Sequence, residues 1–118
     1  MKKAIFTLLI SLLFGLMSLS CTASEIEIKP DAVLIDVRTI QEWNTGHLES
    51  AIFLPVAQFP GSIERIVPDK SQQVILYCKS GVRARKMMKL MQNLGYDNVL
   101  NAKSVKGASK LLDMNVVQ

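Results

Sequence analysis

Cys78, Lys79, Ser80, Gly81, Val82 and Arg83 form a C-x4-R segment between the apolar run Val74–Tyr77 and a helical pattern beginning at Ala84. A cysteine at the tip of a strand, leading through a short loop into a helix, sits where backbone N–H groups and the helix dipole favour an anion. Gly81 can take backbone angles closed to other residues and lets the chain curl around the sulfur. N–H groups from Lys79 to Arg83 then converge on one point, a nest for negative charge. Such surroundings lower a thiol pKa from ~8.5 to ~3.5–7.5, so that thiolate predominates at neutral pH. The chemistry this arrangement suggests is nucleophilic attack by the Cys78 sulfur.

The rest of the chain sharpens that reading. Lys2 and Lys3 precede an almost wholly apolar stretch from Ile5 to Leu19, and small residues follow from Ser20 to Ser24. This pattern predicts a secretory signal peptide over residues 1–23, cleaved after Ala23, and a periplasmic location. Leu19-Ser20-Cys21 offers a second route, lipidation at Cys21 and a membrane-anchored lipoprotein, although Ser18 departs from that motif. A spanning helix needs ~20 apolar residues, and this core falls short.

The leader takes two of the 14 basic residues and none of the ten acidic ones, leaving a formal charge of +2 on the remainder. That is too mild to argue for nucleic acid as a partner. No acidic residue lies between Asp69 and Asp97, whereas Lys79, Arg83, Arg85, Lys86 and Lys89 all do. A solvated helix face and a positive field around Cys78 are both consistent with that run. With Cys21 removed, Cys78 stands alone in a compartment where thiols pair, which leaves a buried small hydrophobe or a reactive thiol. The polar Lys79-Ser80-Gly81 that follows favours the reactive thiol.

The elements that must position the loop follow from periodicity. Val33–Val37 is an apolar, β-branched run suited to a strand buried on both faces. Thr39-Ile40-Gln41-Glu42 has capping-box spacing and predicts a short helix that stops near Gly46. Ala51–Leu54 is a strand candidate ended by Pro55, and Ser62–Val67 fits a helical turn or two closed by Pro68. Val74–Tyr77 is a buried strand. Ala84, Met87, Met88, Met91 and Leu94 step at helical spacing as a core stripe, and Gly95 is placed to end that helix. Asn98–Leu100 and Ser104–Met114 predict a last strand and helix. Strictly alternating elements indicate one α/β domain over residues 24–118, a small, mostly parallel sheet with helices on both faces. Asp36 and Cys78 then fall on one rim, where such sheets bind ligands.

On these residues the chain resembles a single-domain rhodanese (thiosulfate sulfurtransferase) of the small periplasmic type. The matching pieces are Ile35-Asp36-Val37-Arg38, Glu42-Trp43, Gly46–Ile52, Leu54-Pro55, the loop Cys78–Arg83, and Leu94–Val99. The resemblance implies that Cys78 attacks the outer sulfur of thiosulfate or a similar anionic donor, releases sulfite and carries a persulfide. Cyanide or a thiol then takes the sulfur. Lys79, Ser80, Gly81, Val82 and Arg83 would bind the substrate, with Arg83 contacting the anion or bracing the loop. Asp36 would order the rim, with Arg38 its ion-pair partner.

Cysteine phosphatases and arsenate reductases have the longer C-x5-R loop, so the x4 spacing favours a single sulfur atom as cargo. A non-catalytic sulfur-carrier or sensing module is the other alternative. His47, the sole histidine, reads as structural, and Trp43 as core. No metal set, no cofactor and no membrane span are expected. Where many rhodaneses have paired glycines, this chain has Asn101-Ala102-Lys103-Ser104, which bears on substrate preference.

Overall fold

The computed structural model describes residues 25–118; the leader over residues 1–23 and the alternative at Cys21 lie outside them. In chain order the elements are β1 (Val33–Asp36), α1 (Ile40–Asn44), β2 (His47–Leu48), β3 (Ile52–Phe53), α2 (Ile63–Ile66), β4 (Val74–Tyr77), α3 (Val82–Asn93), β5 (Val99–Asn101), α4 (Val105–Leu112) and β6 (Val116–Val117). Among the described residues, no helix is long and apolar enough to cross a membrane.

The main sheet runs β3-β1-β4-β5, every pair parallel. This is the expected α/β architecture, and β4 at its centre is buried along its whole length. Strand alternation sends successive side chains to opposite faces. Ile35, Val37, Val74, Leu76 and Cys78 pack with Ile63 of α2 and with Ala84, Met87 and Met91 of α3. Leu34, Ile75 and Tyr77 pack on the other side with Leu48 and with Ala108 of α4. Each large apolar side chain so buried stabilises the fold by ~1.5–3 kcal/mol, which makes β4 a rigid base for the loop it feeds.

The methionine stripe is core, as the periodicity predicts, except that Leu94 lies exposed at the helix end. Gly95 follows with φ +99°, the expected helix stop. The capping box at Thr39 is formed in both directions with Glu42. α3 starts at Val82, two residues before the predicted Ala84, because Gly81 serves as its N-cap with φ +100°. The last strand is shifted by one residue and the Ala51–Leu54 strand is shorter than expected.

A second, antiparallel ribbon pairs His47 with Val117 and Leu48 with Val116. Two-residue strands carry no periodic signal, so this ribbon is absent from the sequence reading. Trp43 is only half-buried, a correction to its assignment as core. Its ring stacks on His47 with centroids 3.4 Å apart, and His47 Nδ1 lies 3.1 Å from the Trp43 carbonyl oxygen. The histidine is thus tied to α1, in keeping with a structural role.

Candidate functional site

β1 and β4 are parallel neighbours, with Asp36 in register with Tyr77. Cys78, the residue after Tyr77, therefore emerges on the same rim as Asp36, and its N–H donates to the Lys103 carbonyl at 2.9 Å. The side chain is buried, and the Gly81 N–H points at Sγ from 3.0 Å. Burial alone pushes the Cys78 thiol up. The backbone N–H groups of Ala84, Gly81, Ser80 and Arg83 more than offset that and hold it below its ordinary value. The loop is the anion nest that its spacing suggests.

Gly81 makes the curl possible. At φ +100° an L side chain is strained, and a Cβ there would lie 3.2 Å from Lys103 Cα. The carbonyl of Gly81 accepts from Asn101 Nδ2 at 2.9 Å, while Asn101 Oδ1 accepts from the Lys103 N–H at 2.9 Å. One amide thus locks the loop to the end of β5. Lys103 itself sits at φ +72°, a left-handed conformation that costs an L residue roughly 1–2 kcal/mol. Sequence reasoning marked the Asn101–Ser104 stretch only as a departure. The polar Asn101 ending an otherwise apolar strand was the available signal.

Asp36 and Arg38 pair as expected. Arg38 Nη2 reaches Asp36 Oδ2 at 2.7 Å, Nε lies 3.0 Å from both carboxylate oxygens, and the Arg38 N–H donates to Oδ1 at 2.9 Å. Nη2 also donates to the Gly46 carbonyl at 2.7 Å, stitching β1 to the turn before β2. Both side chains are buried. Strand alternation puts Asp36 on the face opposite Cys78, so the pair braces the rim and does not reach the sulfur.

Arg83 reaches across to α1. Its Nη1 and Nη2 donate to Oε1 and Oε2 of Glu42 at 2.6 and 3.0 Å. The guanidinium is thus paired with a carboxylate on α1, which ties the loop to that helix. The Arg83 bond, helped by the Thr39 contacts and against the upward push of burial, takes Glu42 down to about 2. Glu42 appears in the sequence as a capping residue; its partnership with Arg83, 41 residues away, has no local signature. Lys79 and Ser80 are exposed at the mouth.

Three openings border the loop. One, of about 250 Å³, is lined by Ser80, Gly81, Val82, Arg85, Asn101 and Lys103. Another, of about 370 Å³, is lined by Arg38, Gln41, Glu42, Thr45 and Lys79. The third, of about 310 Å³, is lined by Val37, Arg38, Thr39, Pro55, Val56, Ala57 and Arg83. No group of three or more His, Cys, Asp or Glu side chains suited to a metal ion occurs among the described residues.

A buried cysteine in an N–H nest at the end of a central parallel strand defines a class of α/β loop sites. The chain belongs to the rhodanese-like domain family, whose model matches residues 22–104. Among solved structures it is similar to a rhodanese with anions from E. coli, at 29% identity and a TM-score of 0.66, covering 74% of this chain and 98% of that one. A thiosulfate sulfurtransferase from Pseudomonas aeruginosa shares the fold, with a TM-score of 0.63 at 21% identity over 75% of this chain and 17% of that one. Curated relatives include the tRNA uridine(34) hydroxylases of Erwinia tasmaniensis and Cronobacter sakazakii, 32% and 35% identical over 74 residues. Those matches cover 59% of this chain, which spans about a fifth of the relatives' length, 21%.

Proposed function

We propose that the protein is a thiosulfate sulfurtransferase that carries sulfane sulfur as a persulfide on Cys78. The observation that carries this reading is the cysteine held below its ordinary pKa inside a loop of backbone N–H donors. The Cys78 thiolate attacks the outer sulfur of thiosulfate; the new Sγ–S bond forms as the S–S bond of thiosulfate breaks. The bonding pair leaves with sulfite, and the enzyme retains Cys78 Sγ–S⁻. Cyanide or a thiolate attacks that outer sulfur, and the Sγ–S pair returns to Cys78 as thiolate. No external oxidant or reductant is required.

The N–H groups of the loop serve both halves of the cycle. They hold the thiolate before attack and the terminal persulfide charge after it, a preorganised electrostatic role. Ser80, Gly81 and Val82 supply loop backbone, Lys79 adds positive field at the mouth, and Arg83 keeps the loop in place through Glu42. Asp36 and Arg38 support the rim from the opposite face of the sheet. The hydroxylation named for the curated relatives is not carried over, because the chain matches only about a fifth of their length.

The same reading has the enzyme exported to the periplasm. Lys2, Lys3 and the apolar stretch Ile5–Leu19 support a leader removed after Ala23. Mass spectrometry of the N-terminus of protein expressed in a bacterial host tests it: a chain starting at Ser24 is expected, and a lipid-modified Cys21 or an intact leader overturns it. For the chemistry, sulfite release from thiosulfate plus cyanide should vanish in Cys78→Ala. Undiminished release ends the proposal, and a persulfide without turnover would mark a sulfur carrier instead.

A further inference from the structure

Two of the openings beside the loop differ in their charge. On the side of α1, Arg38 is paired with Asp36, and Glu42 with Arg83, so the local charges are largely neutralised and Lys79 alone is unpaired. On the side of β5, Arg85 and Lys103 line the opening, and neither belongs to an ion pair among the described residues. Its remaining lining is Ser80, Gly81, Val82 and Asn101, with no carboxylate at all.

Lys103 is held there by more than chance exposure. Its N–H donates to Asn101 Oδ1, its carbonyl accepts from Cys78 N–H, and its backbone stays at φ +72°. The stem crosses Gly81 closely: the site of a Gly81 Cβ lies 3.2 Å from Lys103 Cβ and 3.3 Å from Cγ. Gly81 is the residue whose N–H points at the sulfur. A lysine in a left-handed conformation thus packs its stem on the loop glycine and lines the opening beside it. Backbone strain retained beside a site of this kind marks a functional constraint.

From this geometry we infer that the opening between the loop and β5 is an acceptor subsite for an anionic thiol, one bearing carboxylate or sulfonate groups, with Arg85 and Lys103 as its specificity-determining residues. The inference rests on the sulfurtransferase reading and names its second substrate class. The sulfane sulfur itself is managed by the N–H nest, and cyanide is too small to need a lined opening of about 250 Å³. An organic thiol brings a body and a charge, and this opening, lined by the Gly81 whose N–H points at Sγ, has room for both. The step balances as before: the acceptor thiolate attacks the outer sulfur, an acceptor S–S⁻ forms, and Cys78 leaves as thiolate.

The test uses the protein with Cys78 loaded from thiosulfate and compares mercaptosuccinate, with two carboxylates, against neutral 2-mercaptoethanol. In the double variant Arg85→Gln/Lys103→Gln the KM for mercaptosuccinate should rise about tenfold, two exposed charges each giving a few-fold effect. The KM for 2-mercaptoethanol should stay unchanged. Glutamine keeps the Lys103 stem over Gly81 and removes its charge, so loss of fold is not the expected outcome. A rise in KM that is equal for both thiols, or no rise, overturns the subsite. If Cys78 takes up no sulfur, the sulfurtransferase reading fails by itself, and the subsite is judged by alkylation. The rate with iodoacetate relative to iodoacetamide should then drop in the double variant; an unchanged ratio rejects it.

Discussion

Arg83 and Glu42 meet through two bonds, Nη1 to Oε1 at 2.6 Å and Nη2 to Oε2 at 3.0 Å, joining the loop around Cys78 to the first turn of α1. The fork matches a carboxylate geometrically, and both side chains are about two-thirds covered. Because Thr39 also donates to Glu42 Oε1, the helix cap and the loop share one carboxylate. The loop that cradles the sulfur is therefore held from both sides, by Glu42 through Arg83 and by Asn101 through Gly81.

Glu42→Gln should lower stability at neutral pH by about 1 kcal/mol, the scale of a partly exposed bidentate pair. The Glu42 carboxyl is depressed from 4.5 to about 2 in the folded protein. Its contribution is thus full above pH 4.5 and lost as pH falls toward about 2. Urea unfolding of wild type and variant across that window should show the two curves converging at low pH. Parallel curves would rule out the pair as a contributor.

Asp36→Asn removes one partner of a buried pair and leaves Arg38 charged without a counter-ion. The expected loss is about 3–5 kcal/mol, larger than for Glu42, because the burial that makes the pair costly also makes its breakage costly. Replacing both residues together, Asp36→Leu with Arg38→Met, should recover part of that loss. Thermal denaturation of the three proteins measures it.

Gly81→Ala tests the loop directly. The substitution demands a left-handed alanine and sets a Cβ 3.2 Å from Lys103. A stability loss of about 1–2 kcal/mol should accompany a drop in persulfide formation, since the Gly81 N–H aims at Sγ. Unchanged sulfur uptake with an unchanged melting temperature would show that the curl is dispensable.

The pH dependence of Cys78 alkylation follows from the same donors. Burial raises the thiol, and the N–H groups of Ala84, Gly81, Ser80 and Arg83 more than offset it. The iodoacetamide rate should therefore reach half its plateau at a lower pH than a free thiol, ~8.5, and the midpoint should move up in Gly81→Ala. A wild-type midpoint at or above that of a free thiol would contradict the nest.

The parallel sheet and the placement of Cys78 were legible because β1 and β4 are buried on both faces and read as unbroken apolar runs. The Thr39 cap was legible because its partners lie three residues apart. Arg83 with Glu42, and Gly81 with Asn101, were not, since those contacts span 41 and 20 residues and depend on how helices dock. The β2–β6 ribbon is too short to leave a pattern. The stacking of Trp43 on His47 turned a residue read as core into part of the surface that packs α1.

The central claim is that Cys78 accepts a sulfur atom from thiosulfate. Intact-mass measurement of the purified protein before and after thiosulfate, with released sulfite quantified alongside, tests it most directly. The account predicts a gain of one sulfur on wild type with one equivalent of sulfite, and neither in Cys78→Ser. An unchanged wild-type mass, or the same gain in the serine variant, would contradict it.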